Sequence, residues 1–312
     1  MDRVARLLKH ADLNSQGIEV APYFNPAVPK RDGHNVLILD VFDSETLRTK
    51  AVEDPQIPNE RIPEIEDVDL VGDASRIGEV VELQGRQGEF SYIVSSHNFE
   101  HLPNPILFLQ GCYDVLAPGG TLSMAVPDCR ACFDHFRMPT RLSDWLEAFH
   151  EDRVQPSPET LFDFTAMQAM YHHEGNISPG CSFPNDDPAG FKPVQNLDSA
   201  YKQYLVRKSA PGDYMDAHCS VFFPASLKLL LSDLHKLGLM KLEILEISET
   251  DGLEFYVHLR KPESEVEIPD DEFFAQRHKL LVEVSQQLGS GSYRKSVWAK
   301  MGSGLKALLK RQ

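Results

Sequence analysis

Long hydrophobic runs are missing from this sequence. No stretch approaches the ~20 uninterrupted apolar residues that span a bilayer. The opening MDRVARLLKHADLNSQG holds neither an apolar core nor a small-residue cleavage site, so no secretory signal is expected. Cysteine is scarce: five residues, at 112, 129, 132, 181 and 219, an odd and scattered set that excludes a disulfide framework. Reduced thiols in the cytoplasm are the expectation. Cys129-Arg-Ala-Cys132 has no second pair to complete a structural zinc site, and no metal is assigned. Cationic charge is short as well, with 31 Lys plus Arg against 47 Asp plus Glu and a net −16. That balance argues against nucleic acid as a partner, because duplex binding needs clustered cations to displace counterions. The Gly-x-Gly-x-x-Gly fingerprint of dinucleotide-binding dehydrogenases is absent too.

What remains is an ordinary globular composition, 42% hydrophobic and 25% charged over 312 residues. The first 130 residues read as strands spaced by helices. Gly17–Ala21 is a short apolar run stopped by Pro22, and Asn35–Asp40 is apolar throughout, as strands buried on both faces are. Asp43 or Ser44 caps a following helix. Strands are expected at 69–73, 90–96 and 121–126, with a helix from Pro105 to Leu116 and a tight turn at Ala117-Pro-Gly-Gly120. This alternation predicts right-handed parallel crossovers and an α/β, doubly wound sheet. Residues 131–215, rich in Pro, His, Asp and aromatics, are too long for a structureless loop and read as an inserted helical and loop lid or substrate region. The α/β pattern resumes at 216–262, with a helix from Pro224 to Gly238 and an antiparallel hairpin over 241–259. Residues 263–312 form an acidic linker, a helix over 272–288 and a basic tail.

In an open α/β sheet, ligands bind at the carboxyl ends of the strands. Those ends carry Glu19-Val20-Ala21-Pro22, Asp40, Asp73-Ala74-Ser75 and Ser96-His97. Asp40, placed after the second strand, suits the two hydroxyls of a ribose. Asp73 suits an exocyclic amine.

Phe90-Ser-Tyr-Ile-Val-Ser-Ser-His-Asn-Phe-Glu-His-Leu and the Leu116-Ala-Pro-Gly-Gly120 turn before the fifth strand resemble the class I S-adenosylmethionine-dependent methyltransferases, of the type 11-like kind associated with glycan biosynthesis. The resemblance implies a seven-stranded, mostly parallel Rossmann-like sheet with a reversed C-terminal hairpin. S-adenosyl-L-methionine is the implied cofactor. It places Glu19, Ala21 and Pro22 at the methionine and ribose end, Asp40 on the ribose, Asp73 and Ala74 by the adenine, and Ser96 and His97 beside the sulfonium. The family's acidic-x-Gly-x-Gly loop reads here Glu19-Val20-Ala21-Pro22, in which Pro22 removes an N–H and stiffens the turn.

Methyl transfer to a hydroxyl needs alignment, exclusion of water and removal of a proton, which histidine performs near neutral pH. Asp128, His135 and His218 stand where the chain leaves and re-enters the sheet, and His172 lies in Tyr171-His-His-Glu174. His135, His172 or His218 is expected to act as the base. The same His, Asp and Glu content also fits a divalent-metal site or hydrogen bonds to sugar hydroxyls. The expected activity is therefore O-methylation of a sugar, glycan or other small hydroxyl acceptor. A nucleoside-binding or scaffolding protein without catalysis is the alternative. The tail from Arg294 carries six cations and no acid, so residues 1–293 carry −16 − 6 = −22. Residues 294–312 suit an anionic membrane surface or an acidic partner.

Overall fold

The computed structural model describes residues 2–55, 57–181, 186–210, 212–264 and 268–290. The basic tail lies outside the described residues. None of the described helices is long and apolar enough to cross a membrane.

A short helix, α1 (Arg3–Leu7), precedes β1 (Gly17–Val20), β2 (Val36–Asp40), α2 (Ser44–Glu53), β3 (Leu70–Val71), α3 (Ile77–Glu82), β4 (Phe90–Ser96), α4 (Pro105–Val115) and β5 (Leu116–Pro127). The insert follows: α5 (Leu142–His150), α6 (Pro158–Met167), β6 (Ala169–His173), β7 (Asn176–Ser178), β8 (Phe191–Pro193) and α7 (Leu197–Ser209). The chain closes with α8 (Pro224–Lys236), β9 (Glu243–Ile247), β10 (Glu254–Arg260) and α9 (Asp270–Ser290). The main sheet runs β3-β2-β1-β4-β5-β10-β9, with β10 antiparallel to both its neighbours and the first five strands parallel. This is the Rossmann-like sheet with a reversed terminal hairpin that the sequence predicts.

Successive strand residues point to opposite faces and build two cores. Ile18, Ile93, Leu122 and Phe255 pack with Ile77, Phe108 and Leu227 of α3, α4 and α8. Ile38, Tyr92, Val94 and Tyr256 pack with Leu7 and with Ala27 and Val28 of the β1–β2 connection. That connection holds a single 3₁₀ turn, Lys30–Asp32, where a parallel crossover usually carries a helix. Pro22, Pro26 and Pro29 explain it, because each lacks the N–H a helix interior needs.

Two details differ from the sequence expectation. The Ala117–Gly120 turn is absorbed into β5 as a bulge: pairing jumps from Phe90–Leu116 to Tyr92–Thr121, and Gly119 takes φ +80°. The insert contains a three-stranded antiparallel sheet, β7-β6-β8, as well as helices. Its strands are three to five residues long and carry polar residues on both faces, so no period of two marks them.

Candidate functional site

The strand ends place the expected cofactor residues along one edge, with different degrees of freedom. Glu19 is buried, and its carboxylate accepts from the Ala27 N–H at 2.6 Å and the Val28 N–H at 2.9 Å. Burial pushes it up to about 7 against these two hydrogen bonds. Both oxygens thus hold the crossover, while Ala21 and Tyr23 take φ +48° on either side of Pro22. Asp40 uses Oδ1 to accept from the Phe42 N–H at 3.1 Å, and burial raises its pKa. Asp73 caps the 3₁₀ turn Ala74–Arg76 through the Ser75 N–H at 2.8 Å. The Ser75 hydroxyl, fully buried, has no hydrogen-bond partner among the described residues.

At the end of β4, Ser96 accepts from Arg3 at 2.7 Å. His97, in the left-handed region at φ +51°, holds Glu254 through Nε2 at 2.7 Å. Burial opposes its charge, but the carboxylates of Glu100 and Glu254 outweigh that and hold it at about 9. Burial likewise pushes Glu254 upward, and His97, Arg3 and Tyr256 together bring it down to about 2. His97 is therefore a fixed cation near neutral pH, unsuited to accept a proton.

Three side chains converge just beyond. Glu100 lies in the 3₁₀ turn Phe99–His101, which is anchored in the core by Phe99 against Phe222 and Trp145. The Ser220 N–H donates to the Glu100 carbonyl at 3.0 Å and so fastens the chain's re-entry into the sheet to this turn. That contact brings His218 edge-on to His101, with ring centroids 4.7 Å apart. Donor atoms of Glu100, His101 and His218 lie within 4.8 Å of one another. Each histidine is oriented from behind by a carboxylate: His218 Nδ1 lies 2.5 Å from Asp134 Oδ2, and His101 Nδ1 lies 2.9 Å from Asp216 Oδ1. Burial opposes ionisation of both aspartates, but their partners, His218 and Arg137 for Asp134 and His101 for Asp216, hold them ionised and acceptor-only. Burial opposes the charge of His101, but the hydrogen bond to Asp216 and the charges of Glu100 and Asp216 outweigh it and raise its pKa. Glu100 is fully buried, and neither carboxylate oxygen has a hydrogen-bond partner among the described residues. Its nearest cationic neighbours are His97 Nδ1 at 3.5 Å and His101 Nε2 at 4.0 Å.

The other expected base residues sit elsewhere. Asp128 is clasped by Arg130 and accepts from Thr250 at 2.5 Å, while Arg130 reaches the Gln287 carbonyl at 2.9 Å. This buried clasp ties the end of β5 to α9. The His135 ring stacks on Phe191 at 4.0 Å, and burial lowers its pKa. His172 is exposed on β6, opposite Ile177. Of the three histidines, His218 alone joins the cluster. Neither Glu100 nor His101 is among the residues expected from the sequence to form the site. The signal available was a Glu-His pair after the fourth strand together with Asp216-Ala-His218 at the re-entry.

Residues 29–124 match the family model described as "Methyltransferase domain". That stretch, less than half of the chain, is similar to a methyltransferase domain. The match to the methyltransferase domain begins at Pro29, inside the β1–β2 crossover, leaves out β1 and runs through β2 into β5. Among solved structures, a SAM-dependent methyltransferase from Methanosarcina mazei is similar at 14% identity, covering 85% of this chain and 99% of that one, with TM-score 0.40. One from Aquifex aeolicus is similar at 11% identity, covering 83% and 93%, with TM-score 0.37. The CurJ carbon methyltransferase is similar at 11% identity and TM-score 0.38 over 80% of this chain, which spans 49% of that one. No curated protein sequence matches the chain.

The residues at the edge described above suit the nucleoside half of S-adenosyl-L-methionine, the cofactor that the sequence resemblance implies. Asp40 keeps a carboxylate at the end of β2, and the orphaned Ser75 hydroxyl lies in the turn that Asp73 caps. The methionine half meets a different set from the family's glycine loop. Glu19 is committed to Ala27 and Val28, and the charges nearby are those of Arg3, His97 and Glu254.

Proposed function

We propose that this methyltransferase methylates a hydroxyl of a small polar acceptor, of the sugar or glycan class, by direct displacement. The observation that carries the reading is the cluster of buried Glu100 and His218 with half-buried His101 at the carboxyl edge of the sheet, its two rings held by Asp216 and Asp134. S-adenosyl-L-methionine supplies an electrophilic methyl on a sulfonium. Asp40 holds the ribose, Asp73 and Ala74 the adenine, and Ser96 and His97 stand on the methionine side. The acceptor oxygen forms a bond to the methyl carbon, the carbon–sulfur bond breaks, and the hydroxyl proton is given up at the cluster. S-adenosylhomocysteine and the methyl ether leave.

A polar acceptor is supported by a groove of about 320 Å³ in the insert, with Arg153, Ser157, Arg207 and Asp213 among its lining residues. Met215 on its wall directly precedes Asp216, which orients His101. The test is S-adenosylhomocysteine formation by the full chain over a panel of sugars and nucleotide sugars. Turnover with a hydroxyl acceptor supports the reading, and turnover confined to thiol, amine or carbon acceptors overturns it. A second reading, a nucleoside binder without catalysis, is favoured by the closed Glu19 latch and Pro22. It predicts cofactor binding with no turnover on any acceptor.

A further inference from the structure

The cluster has the donor set of a metal centre, and we propose that Glu100, His101 and His218 bind one divalent transition-metal cation. The site deepens the methyl-transfer reading by giving the acceptor hydroxyl an acidifying ligand position, but cation binding itself does not depend on that reading. Four observations converge. The three donor atoms lie within 4.8 Å of one another, and short side-chain movements bring them to the metal–ligand lengths of about 2.1 Å typical of imidazole and carboxylate. Nδ1 of each imidazole is taken up by an aspartate, Asp216 at 2.9 Å for His101 and Asp134 at 2.5 Å for His218, which leaves Nε2 as the nitrogen available to a cation. A carboxylate behind each ligating histidine is the usual outer shell of a metal site, fixing the tautomer and raising the basicity of the ligand. Finally, Glu100 is a fully buried carboxylate with no hydrogen-bond partner among the described residues. The charge of His97 lies 3.5 Å from Oε1, and a cation bound in the cluster adds direct coordination to a carboxylate that otherwise lacks a hydrogen bond.

Two imidazoles and one carboxylate suit zinc, manganese, iron or cobalt rather than magnesium or calcium, which prefer oxygen alone. Three protein ligands leave positions open for water or an acceptor hydroxyl, whose acidity a bound cation raises. The buried thiols Cys129, Cys132 and Cys181 are not among the three ligands; Cys132 Sγ instead lies 3.7 Å from Asp134 Oδ2.

The experiment uses chelator-stripped full-length protein titrated with Zn²⁺ by calorimetry and with Co²⁺ by visible spectroscopy. One cation binds per chain, and the cobalt form shows d–d bands without thiolate charge-transfer absorption. Glu100→Gln, His101→Asn and His218→Asn each weaken binding ~100-fold, while Asp134→Asn and Asp216→Asn weaken it ~10-fold through the outer shell. Thiolate bands, absence of binding, or unchanged affinity in all three ligand variants overturns the site. Should the variants unfold, the wild-type cobalt spectrum decides alone. Cation binding with no methyl transfer to a hydroxyl sinks the proposed function and leaves the site standing. Methyl transfer by metal-free protein that binds no cation does the reverse.

Discussion

Asp134 Oδ2 lies 2.5 Å from His218 Nδ1, with both side chains buried, and Asp134 Oδ1 accepts from Arg137 at 2.9 Å. One carboxylate from the start of the insert therefore neutralises a buried guanidinium and sets the tautomer of a histidine where the insert ends. Removing it leaves Arg137 uncompensated in the interior. Asp134→Asn is expected to cost about 3–5 kcal/mol in denaturant unfolding. A loss under 1 kcal/mol means the arginine finds water or another partner.

The histidines separate by burial. His172→Ala touches an exposed strand residue and is expected to change stability by no more than about 0.5 kcal/mol and to leave turnover unaltered. His218→Ala removes a cluster member and is expected to abolish turnover while cofactor binding persists. Equal turnover in the two variants removes His218 from the chemistry.

Glu19 makes the β1–β2 crossover what it is. In Glu19→Gln, one amide oxygen replaces two carboxylate oxygens, so the Ala27 or Val28 N–H loses its acceptor, at about 1–3 kcal/mol. Burial raises this carboxyl from 4.5 to about 7, so its contribution is complete below pH 4.5 and fades as pH rises through 7. The stability gap between wild type and Glu19→Gln is expected to narrow across that window. A gap that widens with pH reverses the sign and refutes the assignment.

Glu254 titrates with the opposite sign. Its pKa falls from 4.5 to about 2, so the stability it confers is complete above pH 4.5 and is lost as pH drops through 2. Glu254→Gln is expected to flatten the acid-unfolding curve between these values, followed by circular dichroism. An unchanged curve shows that His97 and Arg3 are satisfied without it.

Much of the sheet was legible in the chain because parallel strands buried on both faces are written as apolar runs: Val36–Leu39 is unbroken, Phe90–Val94 is interrupted only at Ser91, and each matches its strand. The Pro224 start and Gly238 end of α8 were equally direct, since one fits a first helical turn and the other takes φ +70°. The insert's small sheet was not legible, because His172, His173 and Asn176 give its strands no apolar face. Nor was the cluster, which depends on tertiary contacts: the Ser220–Glu100 hydrogen bond joins segments 120 residues apart, and with the Asp134–His218 contact it brings His218 against His101, while His135 stacks on Phe191.

The central claim is tested most directly by S-adenosylhomocysteine release from full-length protein supplied with S-adenosyl-L-methionine and the sugar panel, with wild type and His218→Ala side by side. The account predicts stoichiometric S-adenosylhomocysteine and methyl ether with wild type and neither with the variant. Tight cofactor binding with no release by wild type on any hydroxyl acceptor contradicts it.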